Sequence, residues 1–180
     1  MNKASKSELS VLVVDDDENI RLVLSKALEK EGYRVSTAKS GEEALSILQR
    51  SFFHVVISDI MMAEMNGIEL LHQIKEMNSL MQIYIMTAHS TLPHVIQCMK
   101  GGAYDYFEKP LQLKDVMTSL NEASRRAARW ERTLRKAFNS SKNGSGNRGM
   151  INIFQLELRL PERHFTVLVT SAKNVMRKFF

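Results

Sequence analysis

The sequence predicts an α/β fold: a doubly wound, five-stranded parallel sheet in the order 2-1-3-4-5, with helices on both faces. Three observations carry that expectation. Strand-like and helix-like runs alternate strictly from Leu9 to about residue 138. Most of the strand-like runs are apolar, as strands covered on both faces are. Parallel neighbours need crossover helices, and right-handed crossovers leave 2-1-3-4-5 as the natural order at this length.

The elements follow in chain order. Leu9 to Val14 is a β-branched run that ends in Asp15-Asp16-Asp17. A helix follows with Ile20, Val23, Leu24, Ala27 and Leu28 on one face, and Gly32 stands in the usual stop position. Tyr33 to Ala38 reads as a second, more polar strand. Ser40-Gly41-Glu42-Glu43 has the pattern of a capping box, ahead of a stripe of Ala44, Leu45 and Leu48. Val55-Val56-Ile57 is a third strand, buried on both faces, that leaves on Asp59. After the turn pair Asn66-Gly67, a helix carries Leu70, Leu71, Ile74 and Met77. Met81 to Met86 is a fourth strand ending on Thr87-Ala88. Pro93 suits the first turn of the next helix, whose apolar face is Val95, Ile96 and Met99. Gly101-Gly102 ends it, and Ala103 to Phe107 is a fifth strand that leads to Lys109-Pro110.

Composition excludes several classes of function. No apolar run approaches the roughly 20 residues of a membrane span, so no membrane partner is expected. Met1 to Ser10 is polar and unlike a signal peptide, and a cytoplasmic location is expected. The single Cys98 forms neither an internal disulfide nor a metal cluster, and His54, His72, His94 and His164 lie at no metal-ligand spacing. The net charge of +5 hides an asymmetry. Residues 1–124 hold 12 Lys/Arg against 17 Asp/Glu, whereas residues 125–180 hold 13 against 3. The acidic part does not attract nucleic acid by its own field; the basic part has the charge to do so.

Parallel strands place all their carboxyl ends on one edge, where open α/β sheets bind ligands. Asp15, Asp16, Asp59, Thr87 and Lys109 therefore converge there. Each alone suits a blander role, since a strand-end Asp often caps a helix and an acidic triplet is often a solvated turn. Jointly they suggest more. Crowded carboxylates repel unless a cation neutralises them, and an all-oxygen set favours a hard ion such as Mg²⁺. Lys109 offers a point charge for phosphate and Thr87 a hydroxyl donor. No Gly-Lys-Ser/Thr phosphate loop is present and no Ser-His or Cys-His pairing is evident around that pocket, which leaves a carboxylate nucleophile attacking phosphorus.

These motifs resemble the receiver domain of two-component response regulators, of the chemotaxis-regulator type. The resemblance rests on Val13-Val14-Asp15-Asp16-Asp17, on Asp59 with Met62, Met65, Asn66 and Gly67 behind it, on Thr87-Ala88, and on Gly102-Ala103-Tyr104-Asp105-Tyr106 before Lys109-Pro110. It implies that Asp59 is the phosphoacceptor, taking a phosphoryl group from a sensor histidine kinase or phosphotransfer protein. It implies Mg²⁺ held by Asp15, Asp16, Asp59 and the Met61 backbone carbonyl. Thr87 and Lys109 would contact the phosphoryl oxygens, and Lys109-Pro110 would be cis. Thr87 and Tyr106 would form a two-state switch that reshapes the face of helix 4, strand 5 and helix 5 for a downstream protein partner. Such a chain is not a multiple-turnover enzyme. Ala63 stands where the family commonly has Pro. Met61 and His89 stand where the family tunes phosphoryl lifetime, and neither would orient an attacking water well, so slow loss is expected.

The implied organisation is a tail over 1–8, a receiver domain over 9–124, a helical extension over 125–138, a flexible Ser/Gly/Asn-rich linker over 139–149 and a basic tail over 150–180. Leu113, Val116, Leu120, Ala123, Ala127, Trp130, Leu134 and Ala137 advance in alternating steps of three and four, a heptad seam that would support a homodimer through Leu113–Ala137. Arg126 and Glu131 have the spacing of an interchain pair. Up to about residue 124 the same stripe suits packing on its own domain. Phe154 to Leu160 alternates with period two and can turn through Pro161 into Phe165–Val169 as a hairpin, with a short basic helix after it. The alternative output is a phosphorylation-dependent transcriptional regulator that binds DNA through this basic region, and it is the less favoured of the two.

Overall fold

The apolar runs become strands and the amphipathic runs become helices. In chain order they are β1 (Ser10–Val14), α1 (Glu18–Lys30), β2 (Arg34–Ala38), α2 (Gly41–Arg50), β3 (Val55–Asp59), α3 (Gly67–Met77), β4 (Gln82–Thr87), α4 (Leu92–Lys100), β5 (Asp105–Glu108) and α5 (Leu113–Ser141). The computed structural model describes residues 9–141. The tail over 1–8 and the hairpin and short helix expected over 150–180 lie outside the described residues. So do residues 142–149 of the expected linker, whereas Asn139 to Ser141 continue α5.

The sheet is parallel and its order is β2-β1-β3-β4-β5. β1 and β3 are buried along their whole length, with apolar runs flanked by the buried polar residues Ser10, Ser58 and Asp59. Leu12, Val14, Val56, Ile83 and Ile85 face a core shared with Leu48 of α2, Leu70 and Ile74 of α3, and Cys98 of α4. Val11, Val13, Val55, Ile57 and Met86 face the other core, with Leu24 and Leu28 of α1 and with Val116, Leu120 and Ala123 of α5. Thus α1 and α5 cover one face, and α2, α3 and α4 the other.

Local caps set where the helices begin. Asp17 caps α1 by accepting the Asn19 amide. Asn66 caps α3 in a full capping box with Glu69. At α2, Ser40 accepts the Glu43 amide, but the Glu43 carboxylate reaches one residue further back, to the Lys39 amide at 2.8 Å. Thr91 caps α4, and Pro93 stands in its first turn.

Two amphipathic assignments change. Val23, expected on the inner face of α1, is 64% exposed. In α4, Ile96 and Met99 point outward and Cys98 is the buried residue, with His94 and Val95 half-buried. Leu92, Ile96 and Met99 form a helical stripe of their own, so α4 carries two apolar faces. The smaller face, one turn either side of Cys98, is the one that fits against the sheet and α3. In α5, Val116, Leu120 and Ala123 are buried on their own domain. The side chains of Ala127, Trp130, Leu134 and Ala137, on which the dimer seam depends, lie outside the described residues. Arg126, expected to pair with Glu131, has its guanidinium 5.2 Å from the ring centre of Tyr104.

Candidate functional site

The carboxyl edge of the sheet collects the expected side chains. Asp59 ends β3, the central strand, and Thr87 ends β4 beside it. Asp15 follows β1 and Lys109 follows β5 immediately. Asp15, Asp16 and Asp59 can each offer an oxygen within 4.8 Å of the others. Asp15 and Asp59 are buried, whereas Asp16 is exposed.

One ammonium ties the two buried carboxylates. Lys109 Nζ donates to Asp15 Oδ2 at 2.8 Å and lies 3.1 Å from Asp59 Oδ2. Burial pushes the Asp59 pKa above its ordinary 3.8, against the lowering pull of Lys109, and the charge of Asp15 adds to the rise. For Lys109, burial works against the ammonium, but the hydrogen bonds and charges of Asp15 and Asp59 outweigh it, and its pKa is raised. A single cation thus does not fully compensate the pocket. Asp59 Oδ1 is buried and, among the described residues, has no hydrogen-bond partner. A buried, unpartnered carboxylate oxygen among three acidic groups is the donor set that a hard divalent ion fits. The residues present therefore suit Mg²⁺.

The surrounding loops are fixed by their own bonds. Thr87 is fully buried, and its Oγ1 accepts the His89 amide at 3.2 Å. Lys109-Pro110 is cis, and the Lys109 amide donates to the Thr87 carbonyl at 2.8 Å. The Met61 side chain is 56% exposed on the loop that leaves β3, and the group expected to act there is its backbone carbonyl. Gly67 explains how α3 meets that strand: a Cβ at this position would stand 2.0 Å from the Asp59 carbonyl oxygen. Only a glycine permits that approach. Tyr106 packs against the α2–α3–α4 core, and its buried hydroxyl has no hydrogen-bond partner among the described residues. Beside it, the Asp105 carboxylate accepts from Ser119 of α5, and Tyr84 donates to the Ser119 carbonyl at 2.9 Å.

Reading the sequence missed Arg21. Its Nη1 donates to the carbonyl of Asp15 at 2.7 Å and to that of Asp16 at 2.9 Å. No motif marks it, but side chains of a helix lean toward its N-terminus, so a second-turn cation can reach back to the preceding loop.

The chain is similar to several known proteins. The transcriptional regulatory protein ZraR of Klebsiella oxytoca is 40% identical over 119 residues, 66% of this chain and 27% of that protein. The DNA-binding transcriptional regulator NtrC of Klebsiella pneumoniae is 39% identical over 111 residues, 62% of this chain and 24% of that protein. The C4-dicarboxylate transport transcriptional regulatory protein DctD of Rhizobium meliloti is 34% identical over 137 residues, 75% of this chain and 30% of that protein. The matched part thus spans about a quarter to a third of these relatives. Among solved structures, a response regulator receiver domain protein from Clostridium thermocellum superposes with a TM-score of 0.63 at 34% identity, covering 66% of this chain and 95% of that one. The chemotaxis protein CheY4 of Vibrio cholerae gives 0.61 at 30% identity, covering 64% and 98%. Residues 11–121 match the family described as the response regulator receiver domain, a signalling domain of two-component systems. With that match and this pocket together, the chain belongs to the response regulator receiver family.

Proposed function

We propose that Asp59 is the residue that accepts the phosphoryl group, from a phosphohistidine on a sensor histidine kinase or phosphotransfer protein. The observation that carries this is the orphaned Oδ1 of Asp59, buried among three carboxylates and one lysine. An Asp59 oxygen attacks phosphorus, the P–N bond of the donor breaks, and the imidazole keeps the electron pair and takes up a proton. The product is an acyl phosphate on Asp59, one per chain. Asp15, Asp16, Asp59 and the Met61 carbonyl are the groups proposed to hold Mg²⁺, which supplies charge neutralisation for the incoming phosphoryl oxygens. Lys109 keeps those oxygens paired on the other side, and Thr87 donates its hydroxyl to one of them.

The signal leaves through α4, β5 and α5. Tyr106 supports that reading, because a buried hydroxyl without a partner is better served in another position. The outward apolar residues Leu92, Ile96 and Met99 of α4 and Leu113 of α5 support a protein partner there.

Labelling the full chain with radioactive acetyl phosphate and Mg²⁺ tests the acceptor. One phosphoryl per chain is expected, labile to alkali, absent without Mg²⁺ and absent in Asp59→Asn. Undiminished label in Asp59→Asn would overturn the assignment, and continuous turnover on small phosphoesters would make the chain a phosphohydrolase instead.

A further inference from the structure

We propose that Arg21 is a positioning residue for the cation site, an inference that rests on the reading of Asp15, Asp16 and Asp59 as Mg²⁺ ligands. The three ligands are not held equally. Asp59 belongs to a strand paired on both sides. Asp15 is buried, its Oδ1 accepts the Asp17 amide at 2.9 Å, and its Oδ2 is bound by Lys109. Asp16 is exposed, and its carboxylate accepts no hydrogen bond among the described residues. Its direction is therefore set by its backbone.

Arg21 is what grips that backbone. A single guanidinium nitrogen bridges the carbonyls of Asp15 and Asp16, at 2.7 and 2.9 Å. The bridge fixes two successive peptide planes, and with them the angle at which Asp16 leaves the chain. Arg21 is itself anchored, since its amide donates to Asp17 O at 3.1 Å within α1. The bridge thus ties the acidic loop to the rigid helix that follows it. Hydrogen bonds one step out from a metal orient its ligands in this way.

Position and charge predict opposite effects here, which makes the inference testable. Beside three carboxylates, a guanidinium lowers the negative field that attracts a cation, so deleting its charge alone tightens Mg²⁺ binding. Deleting the bridge loosens it. Calorimetric titration of the full chain with Mg²⁺ separates the two. Arg21→Met, which keeps the stem and loses the donors, is expected to bind Mg²⁺ about tenfold more weakly than wild type. Its acetyl phosphate labelling rate is expected to return to the wild-type value at saturating Mg²⁺, a recovery that general damage to the domain would not show. Arg21→Lys keeps the charge on a shorter reach and is expected to fall between the two. Wild-type or tighter affinity in Arg21→Met, or in Arg21→Lys if the methionine variant does not fold, would overturn the proposal. So would a labelling rate that stays low at saturating Mg²⁺. If the wild-type chain itself shows no Mg²⁺ binding, the reading of the pocket fails rather than the role of Arg21.

Discussion

Asp59 is a carboxylate held where burial penalises its charge. Its folded pKa lies above the ordinary 3.8, chiefly because burial penalises the charge. Between those two values the folded state holds a proton that the unfolded chain has released. Stability is therefore greatest below the ordinary value and falls as pH rises through that window. Asp59→Asn removes the buried charge and is expected to stabilise the Mg²⁺-free chain by about 0.5–2 kcal/mol at neutral pH, with little gain at pH 4. Urea unfolding in EDTA at the two pH values checks this, and an equal gain at both would contradict it. Lys109 runs the other way: its folded pKa is raised above 10.5, so its contribution is full below that value and is lost as pH rises through the folded pKa. Asp15, Asp59, Thr87 and Lys109 were all legible from strand ends, because parallel topology alone sends them to one edge. Arg21 was not, because its role lies in two backbone carbonyls that have no sequence signature.

Among the elements, α3 meets β3 at the site by a direct backbone approach. The Cα of Gly67 lies against the backbone of Asp59, and the Gly67 amide donates to the Ile60 carbonyl at 2.9 Å. The clash made by a Cβ here is with backbone, which cannot swing aside as a side chain can. Gly67→Ala is expected to cost about 1–3 kcal/mol of stability and to displace Asp59 enough to slow labelling strongly. A variant with wild-type melting and wild-type labelling would show that the approach is looser than it looks. Asn66-Gly67 was readable as a turn, but the reason for the glycine was tertiary. The same holds for α4. Its sequence presents two apolar stripes, and periodicity could not decide between Val95-Ile96-Met99 and the narrower face around Cys98. What decided was the fit against α3, where a Cβ on Gly101 would come within 2.8 Å of Leu71. The stripe left outside, Leu92, Ile96 and Met99, is the part of the helix available to a partner.

At the scale of the whole molecule, charge separates two roles. Asp15, Asp16 and Asp59 concentrate negative charge at the pocket, and the exposed cations of α5, Arg125, Arg129, Arg132 and Lys136, follow the residues that match the family. With output through a protein partner, the full chain is expected to give no retarded complex with duplex DNA at low salt. A salt-sensitive complex that disappears when residues 139–180 are removed would assign the output to nucleic acid, as in the DNA-binding regulator NtrC. Tyr106 packs against the α2–α3–α4 core, and its lone hydroxyl has a quantitative consequence. An unpartnered buried hydroxyl costs about 1–3 kcal/mol, which partly cancels what the ring gains by packing inward. In the switch proposed for Tyr106, that cost narrows the free-energy gap between an inward and an outward ring. A phosphoryl group that favours one of them by only about 1.4 kcal/mol changes their ratio tenfold. For the switch proposed above, occupancy of the α4–β5–α5 face would then be a graded quantity rather than an all-or-none one.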